Sequence, residues 1–453
     1  MQKHLRPTAV VAAIVAAATF VARADAPHVY AIRGARIVTA AGAPIASGTV
    51  VIRDGLIEAV GAGVAAPADA WVIDGAGLTV YPGLIDMGTA TGLDVPAIAE
   101  PQNPQTIEET ERWKRSVILR PELKAADHVA TDSTALRRFA AAGVTTILAR
   151  PDGAGIAGRS ALVNVVPPPD EPQIGNVGDA RVGLLVVRDQ VALHVSLEAR
   201  ASGGGYPVSQ LGMHAFVRQA FLDGRHYGAA HAFAASHAAT ARPAYDESLE
   251  ALGPALDGTL PVAFAAGLGR EIRRALRMAE ELGLTPIITG AIEADQVAGE
   301  LRAQNARVVY SLDYPTRPAT LAPDADEPLR VLRQRANAPK VPAALAQAGV
   351  TFAFESAGLD DPKAFVKNAA QAVKDGLPAD AAIRALTIDA ARIAGADSRL
   401  GSLEPGKIAN LVVTDGDLFG DKTTIKHVFV DGRPVPIEAE AEAPRGGRRA
   451  GGR

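Results

Sequence analysis

The chain predicts a TIM-like (β/α)8 barrel carrying a small discontinuous β-sandwich domain built from both chain ends. Three observations lead there. Strand texture with Asp-Gly hairpin signals is concentrated in residues 28–80 and returns only at 409–435. Between them, helix–Gly–strand units repeat, which implies parallel strands with crossover helices. The stretch between the two β segments is about 300 residues, which suits such a barrel. An open doubly wound sheet is the alternative use of the same units. The 453-residue length accommodates either one large α/β unit with a small partner or about three ordinary domains.

Taken in order, the first element is an address. Lys3, His4 and Arg6 precede an uncharged, mostly apolar run from Thr8 to Ala22, too short to cross a bilayer comfortably. It ends in Ala22-Arg23-Ala24, an A-x-A cleavage pattern, so residues 1–24 are expected to be a signal peptide cut after Ala24. The mature protein is then expected to be periplasmic or secreted, with no later membrane span. TVVIR (49–53) and LIEAV (56–60) flank Asp54-Gly55, a dipeptide that accepts positive φ and so favours a hairpin. WVIDGAGLTV (71–80) continues the texture. Residues 25–82 plus 405–436 are the expected composite domain, 83–404 the barrel and 437–453 a disordered tail.

Inside the barrel segment, residues 92–130 form a Pro-, Glu- and charge-rich excursion. The helix of 133–143 stops at Gly143 before the strand VTTILA (144–149). Residues 165–180 read as a loop and 201–245 hold a helical insertion. The helix of 270–283 stops at Gly283 before a strand near 285–289. Residues 293–305 lead to RVVYSL (307–312), and 341–349 to VTFAFE (350–355). ANLVVTDG (409–416) and HVFVDGRPV (427–435) return to β, with Asp431-Gly432 as a second hairpin turn. Barrel chemistry sits where strands end, here near Met87, Arg150, Thr289, Asp313 and Glu355.

Composition narrows function. Hydrophobic residues are 48% and charged residues 21%, enough for a sizeable core. A net charge of −4 with 4% aromatics supplies neither the basic field nor the stacking surface for nucleic acid. The absence of cysteine excludes disulfides, Cys-zinc sites, iron–sulfur clusters and thiol catalysis. Gly153 to Gly158 matches G-x-G-x-x-G, but strand-like residues follow where a dinucleotide site needs a helix. Gly61 to Ala66 matches only partly and precedes Pro67. His214, His226, His231 and His237 are spaced 12, 5 and 6 apart, not the 3 or 4 that pairs ligands on one helix face. They read as histidines on a surface insertion.

Both ends of the chain resemble the amidohydrolase superfamily, close to its imidazolonepropionase-like branch. GLTVYPGLIDM (77–87) looks like the family's entry into barrel strand one. RALTIDAARIAGADSRLGSLEPGKIANLVVTDGDLF (384–419) looks like its final helices and return into the β domain. The resemblance implies hydrolysis of C–N bonds, in amides or cyclic amides other than peptides, with one or two divalent metals such as zinc. It also implies an H-x-H directly after PGLIDM. Here the residues are Gly88-Thr89-Ala90, and neither Gly88 nor Ala90 can ligate. Ala265 stands near the place of the expected fifth-strand histidine, Thr289 or Gly290 near that of the sixth, and Ala357 where the eighth strand should supply its catalytic Asp. Lowering a water pKa by about 8 units is worth about 11 kcal/mol, which one leftover carboxylate does not replace. No cofactor is therefore expected.

What remains is a set of polar groups at strand ends. Glu355 and Asp313 are the catalytic candidates, as a possible acid–base pair. Arg150 and His194 are the candidates for binding substrate. Three functions compete: amide hydrolysis through an altered site, a catalytically inactive relative that binds a small molecule or a protein, and a site rebuilt on the four histidines. A homo-oligomer is compatible with each.

Overall fold

The computed structural model describes residues 29–437, except 104, 131–133, 166–185, 200–205, 323 and 360. The expected signal peptide, nearly all of the 165–180 loop and the tail from 438 lie outside the described residues.

The chain opens with β1 (Val29–Ile37), β2 (Ile45–Arg53), β3 (Leu56–Gly61), β4 (Trp71–Asp74) and β5 (Thr79–Pro82). It closes with β16 (Leu411–Thr414), β17 (Ile425–Val430) and β18 (Arg433–Val435). These form one eight-stranded sheet in the order β18-β17-β16-β5-β1-β2-β3, with β4 also paired to β1. The strands expected to form the composite β-sandwich pair in one continuous sheet shared by both chain ends. It curls on itself, because its distant members touch: a bridge joins Leu56 to Ile408, and the turn at Gly432 packs against Gly55. Both Asp-Gly turns form hairpins. Asp54 and Gly55 have φ of 48° and 82°, and Asp431 and Gly432 have 53° and 73°, the left-handed pair that matches strand twist.

The middle contributes β6 (Leu84–Thr89), β7 (Val144–Ala149), β8 (Gly155–Arg159), β9 (Ala161–Asn164), β10 (Val186–Arg188), β11 (Leu193–Ser196), β12 (Val262–Ala266), β13 (Pro286–Gly290), β14 (Arg307–Ser311) and β15 (Phe352–Glu355). Its helices are α1 (Ile107–Ile118), α2 (Thr134–Ala141), α3 (Gln210–Ser236), the short α4 (Glu247–Ala251) and α5 (Gly253–Leu256), α6 (Gly269–Leu282), α7 (Ala298–Ala303), α8 (Leu329–Asn337), α9 (Val341–Ala348), α10 (Lys363–Lys374), α11 (Ala379–Leu386) and α12 (Ile388–Ile393). Strands β11 to β15 run parallel in sequence order, as the helix–Gly–strand units predict. Gly283 after α6 and Gly349 after α9 both take left-handed φ, ending their helices.

The expected all-parallel ring is interrupted. β8 runs antiparallel to β11, and β9 antiparallel to β7 and β10, so the strands form sheets of four and six. The cause is length. A parallel crossover needs a dozen or more residues. Only 150–154 join β7 to β8, and only Ser160 joins β8 to β9. The two sheets meet where β15 lies beside β6, through the Ala357 N–H donating to the Gly88 carbonyl at 3.0 Å. No closed ring of pairing forms among the described residues.

Alternation along the strands sorts their side chains. Leu84, Val262, Ile288, Val308 and Phe352 pack outward against the helices. Ile85, Met87, Leu148, Ala263, Ile287, Val309 and Ala353 form a second, inner cluster with residues of α12.

Candidate functional site

The period of two carries the inner face from Leu148 to Arg150, from Ala263 to Ala265, from Ile287 to Thr289, from Val309 to Ser311 and from Ala353 to Glu355. The C-terminal strand ends therefore present Arg150, Thr289, Ser311 and Glu355 to one interior. His194 joins them, because it pairs in register with inner-facing Ala263.

Glu355 is the centre of this group and only 2% exposed. Its Oε1 accepts the Gly290 N–H at 2.9 Å, while its Oε2 has no hydrogen-bond partner among the described residues. That donor is aimed by a sharp turn in which Gly290 and Ala291 have φ of 83° and 54°. Gly88 faces the same carboxylate. A β-carbon at Gly88 would lie 2.3 Å from Glu355 Oε2 and 3.2 Å from Arg150 Nε. The place of the first expected histidine is therefore filled by a carboxylate and a guanidinium. Arg150 Nε and His194 Nε2 are also buried without hydrogen-bond partners. The outer end of Arg150 reaches Asp152, with Nη1 3.7 Å from Oδ1.

Burial dominates the electrostatics. It raises the Glu355 carboxyl to about 7; Arg150 opposes the shift and Asp86 adds to it. Burial, seconded by the Arg150 charge, lowers His194 to about 3, so its imidazole is neutral at physiological pH. Asp86 is raised to about 6 by burial, against hydrogen bonds from Ser356 and Gly88. Its Oδ1 accepts Ser356 N–H at 2.8 Å and Gly88 N–H at 3.1 Å, and its Oδ2 accepts the Ser356 hydroxyl at 2.5 Å. A carboxyl near neutrality beside a fixed cation can exchange a proton or hold a polar ligand.

Asp313 follows β14 at the same strand end but is not buried with Glu355. It is exposed, its N–H donates to Ser311 Oγ at 3.2 Å, and its carboxylate packs beside Gly358. The buried carboxyl coupled to Glu355 is instead Asp86, which the sequence reading passed over. A signal was present: Asp86 is the one charged residue in the apolar run YPGLIDM. Among the other expected ligand places, Ala90 is exposed and Ala357 sits at a φ of 39°. The Thr289 hydroxyl faces the Phe264 carbonyl at 3.5 Å. His214, His226 and His231 are strung along α3, and His237 caps it, stacked on Phe233. Among the described residues, no three His, Asp or Glu side chains converge as a metal-ligand set. Residues 155–159, where a dinucleotide loop would open a helix, are strand β8.

Comparison with known proteins gives a partial family match first. Residues 270–435 match the Amidohydrolase family, spanning α6 to β18. The particular likenesses are structural. An amidohydrolase from Thermotoga maritima MSB8 is 23% identical, with 90% of this chain and 99% of that chain covered and a TM-score of 0.72. A prolidase complexed with N-methylphosphonate-L-proline is 17% identical over 90% of this chain and 99% of that one, with a TM-score of 0.51. Molinate hydrolase is 15% identical over 92% and 97%, with a TM-score of 0.50. At these identities the likeness is one of fold, and it implies the TIM-like barrel architecture of amidohydrolases. No curated protein matches the chain at a significant level.

Proposed function

We propose that this chain is an exported amidohydrolase-superfamily protein, of the imidazolonepropionase-like branch, that binds a small amide or cyclic amide at its strand ends without a metal centre. The observation that carries this reading is at Gly88. The space for the first expected histidine ligand is already taken by Glu355 Oε2 and Arg150 Nε. Of Ala90, Ala265, Thr289 and Ala357, only Thr289 offers a side-chain oxygen. These residues do not fit the divalent metals that the resemblance implies. A guanidinium is instead the cation beside the carboxylate. The unpartnered Arg150 Nε, His194 Nε2 and Glu355 Oε2 supply donors and acceptors for an amide, which carries both.

A second reading keeps the family's chemistry, hydrolysis of a non-peptide C–N bond. One observation favours it: Glu355, raised to about 7, has a free oxygen and can act as general acid or base.

Metal analysis and ligand screening separate these readings. Protein of residues 25–453, purified with zinc and manganese present, is expected to hold near-zero metal by elemental mass spectrometry. Hydantoin, dihydrouracil and N-acetyl amino acids then serve as probes in thermal shift and hydrolysis assays. A rise in melting temperature without turnover supports binding. Turnover abolished by Glu355→Gln supports metal-independent hydrolysis. One or more tightly held metals per chain would overturn both. Export rests on residues 1–24, and N-terminal sequencing of the periplasmic protein is expected to begin at Asp25.

A further inference from the structure

The loops that follow β13 and β14 enclose a groove of about 490 Å³, within the size range of small-molecule sites. One wall is Ile292, Glu293 and Gln296; the other is α8, with Arg330 and Arg333 on it and Lys340 just beyond it. Arg330, Arg333 and Lys340 thus bring three cations to one groove. The surrounding arginines have carboxylate partners. Arg317 and Arg335 each meet Glu327 at 2.6 Å, and Arg273 meets Glu300 at 2.7 Å. Arg330, Arg333 and Lys340 have no ion-pair partner among the described residues. The one carboxylate in the lining, Glu293, accepts the Gly269 N–H at 3.1 Å through Oε2, and it leaves the lining with three cations against one anion. Asn337 is likewise held, donating to Asp295 Oδ2 at 3.0 Å. Leu329, 58% exposed, adds an apolar surface at the mouth.

The groove belongs to the strand-end rim. Ile292 is two residues beyond Gly290, whose N–H holds Glu355. An excess of cations grouped in a concavity focuses positive potential, and arginine forks match carboxylate and phosphate oxygens.

We propose that this groove between the post-β13 loop and α8 binds a small molecule bearing a carboxylate or phosphate group through Arg330, Arg333 and Lys340. The inference rests on the reading of the strand-end rim as a small-molecule surface, and it adds the anionic class to that reading.

The test is isothermal titration calorimetry of the 25–453 chain with succinate and, separately, with inorganic phosphate. Saturable binding of one of them is expected, weakened at least about tenfold in the Arg330→Gln/Arg333→Gln double variant. Both positions are exposed, so the variant should keep its melting temperature and circular dichroism. The preferred probe distinguishes a carboxylate ligand from a phosphate ligand. Absence of saturable heat with either probe up to about 20 mM would overturn the inference. So would unchanged affinity in the double variant. Binding lost in Arg150→Met but retained in the double variant would place the anion at the Glu355 cluster. That result overturns the groove while leaving the strand-end reading intact.

Discussion

At the scale of the residue, Glu355 and His194 pull the pH dependence of stability in opposite directions. The folded state raises Glu355 from 4.5 to about 7 and so holds its proton more tightly than the unfolded chain does. Its contribution is fully present below about 4.5 and lost as pH rises through 7. At about 1.36 kcal/mol per unit, that loss is about 3 kcal/mol. Asp86, raised to about 6, has the same sign at lower pH. His194, lowered from 6.5 to about 3, has the opposite sign, and stability rises as pH climbs through that window. Between about pH 4.5 and 6 His194 offsets only one of the two carboxyls, so stability still falls as pH rises, and above 6.5 Glu355 acts alone. Glu355→Gln removes the ionisable group while an amide oxygen can still accept the Gly290 N–H. Its melting temperature is expected to gain on the wild type progressively from pH 6 to 8. A difference independent of pH would show that Glu355 titrates as an ordinary carboxylate. Glu355 and Arg150 were readable as strand-end groups from the spacing of the strands. Their meeting at Gly88 was not, because it depends on how far β6 lies from β15.

At the scale of the element, punctuation carries the fold. Gly143, Gly283 and Gly349 all have positive φ where helices give way to strands, so these boundaries were legible one residue at a time. The two Asp-Gly hairpins were legible for the same reason. Their mutual contact was not, since it joins residues nearly four hundred positions apart. Gly432 has a φ of 73°, and a β-carbon there would lie 2.6 Å from the Gly55 backbone. Gly432→Ala is therefore expected to cost about 2 kcal/mol or more in urea denaturation, from strained φ and overpacking together. A loss under about 0.5 kcal/mol would mean that the two turns separate freely.

At the scale of the whole molecule, the last strands are structural members rather than an appendage. β16 sits between β5 and β17 and completes the sheet begun by the first strands. Asn410 ties that sheet to the barrel: its amide donates to Thr146 Oγ1 at 3.0 Å and Asn164 Oδ1 at 2.9 Å, and its carbonyl accepts the Asp431 N–H at 2.8 Å. A chain ending at Lys407 is expected to lose cooperative thermal unfolding and to precipitate, because β5 would expose an unpaired edge and the Thr146–Asn164 pair would lose the Asn410 donor. Cooperative unfolding of that truncated chain would show that the barrel folds alone. The amino-acid sequence by itself determined the α/β class, the pairing of the chain ends in one sheet texture and the absence of histidines after PGLIDM. Each of these is a matter of local period, turn chemistry or residue identity. Tertiary structure alone decided that β8 and β9 turn antiparallel, that Asp86 rather than Asp313 is the buried carboxyl coupled to Glu355, and that Glu355 and Arg150 fill the space left at Gly88. Those outcomes depend on distances between strands remote in the chain, which no local pattern encodes.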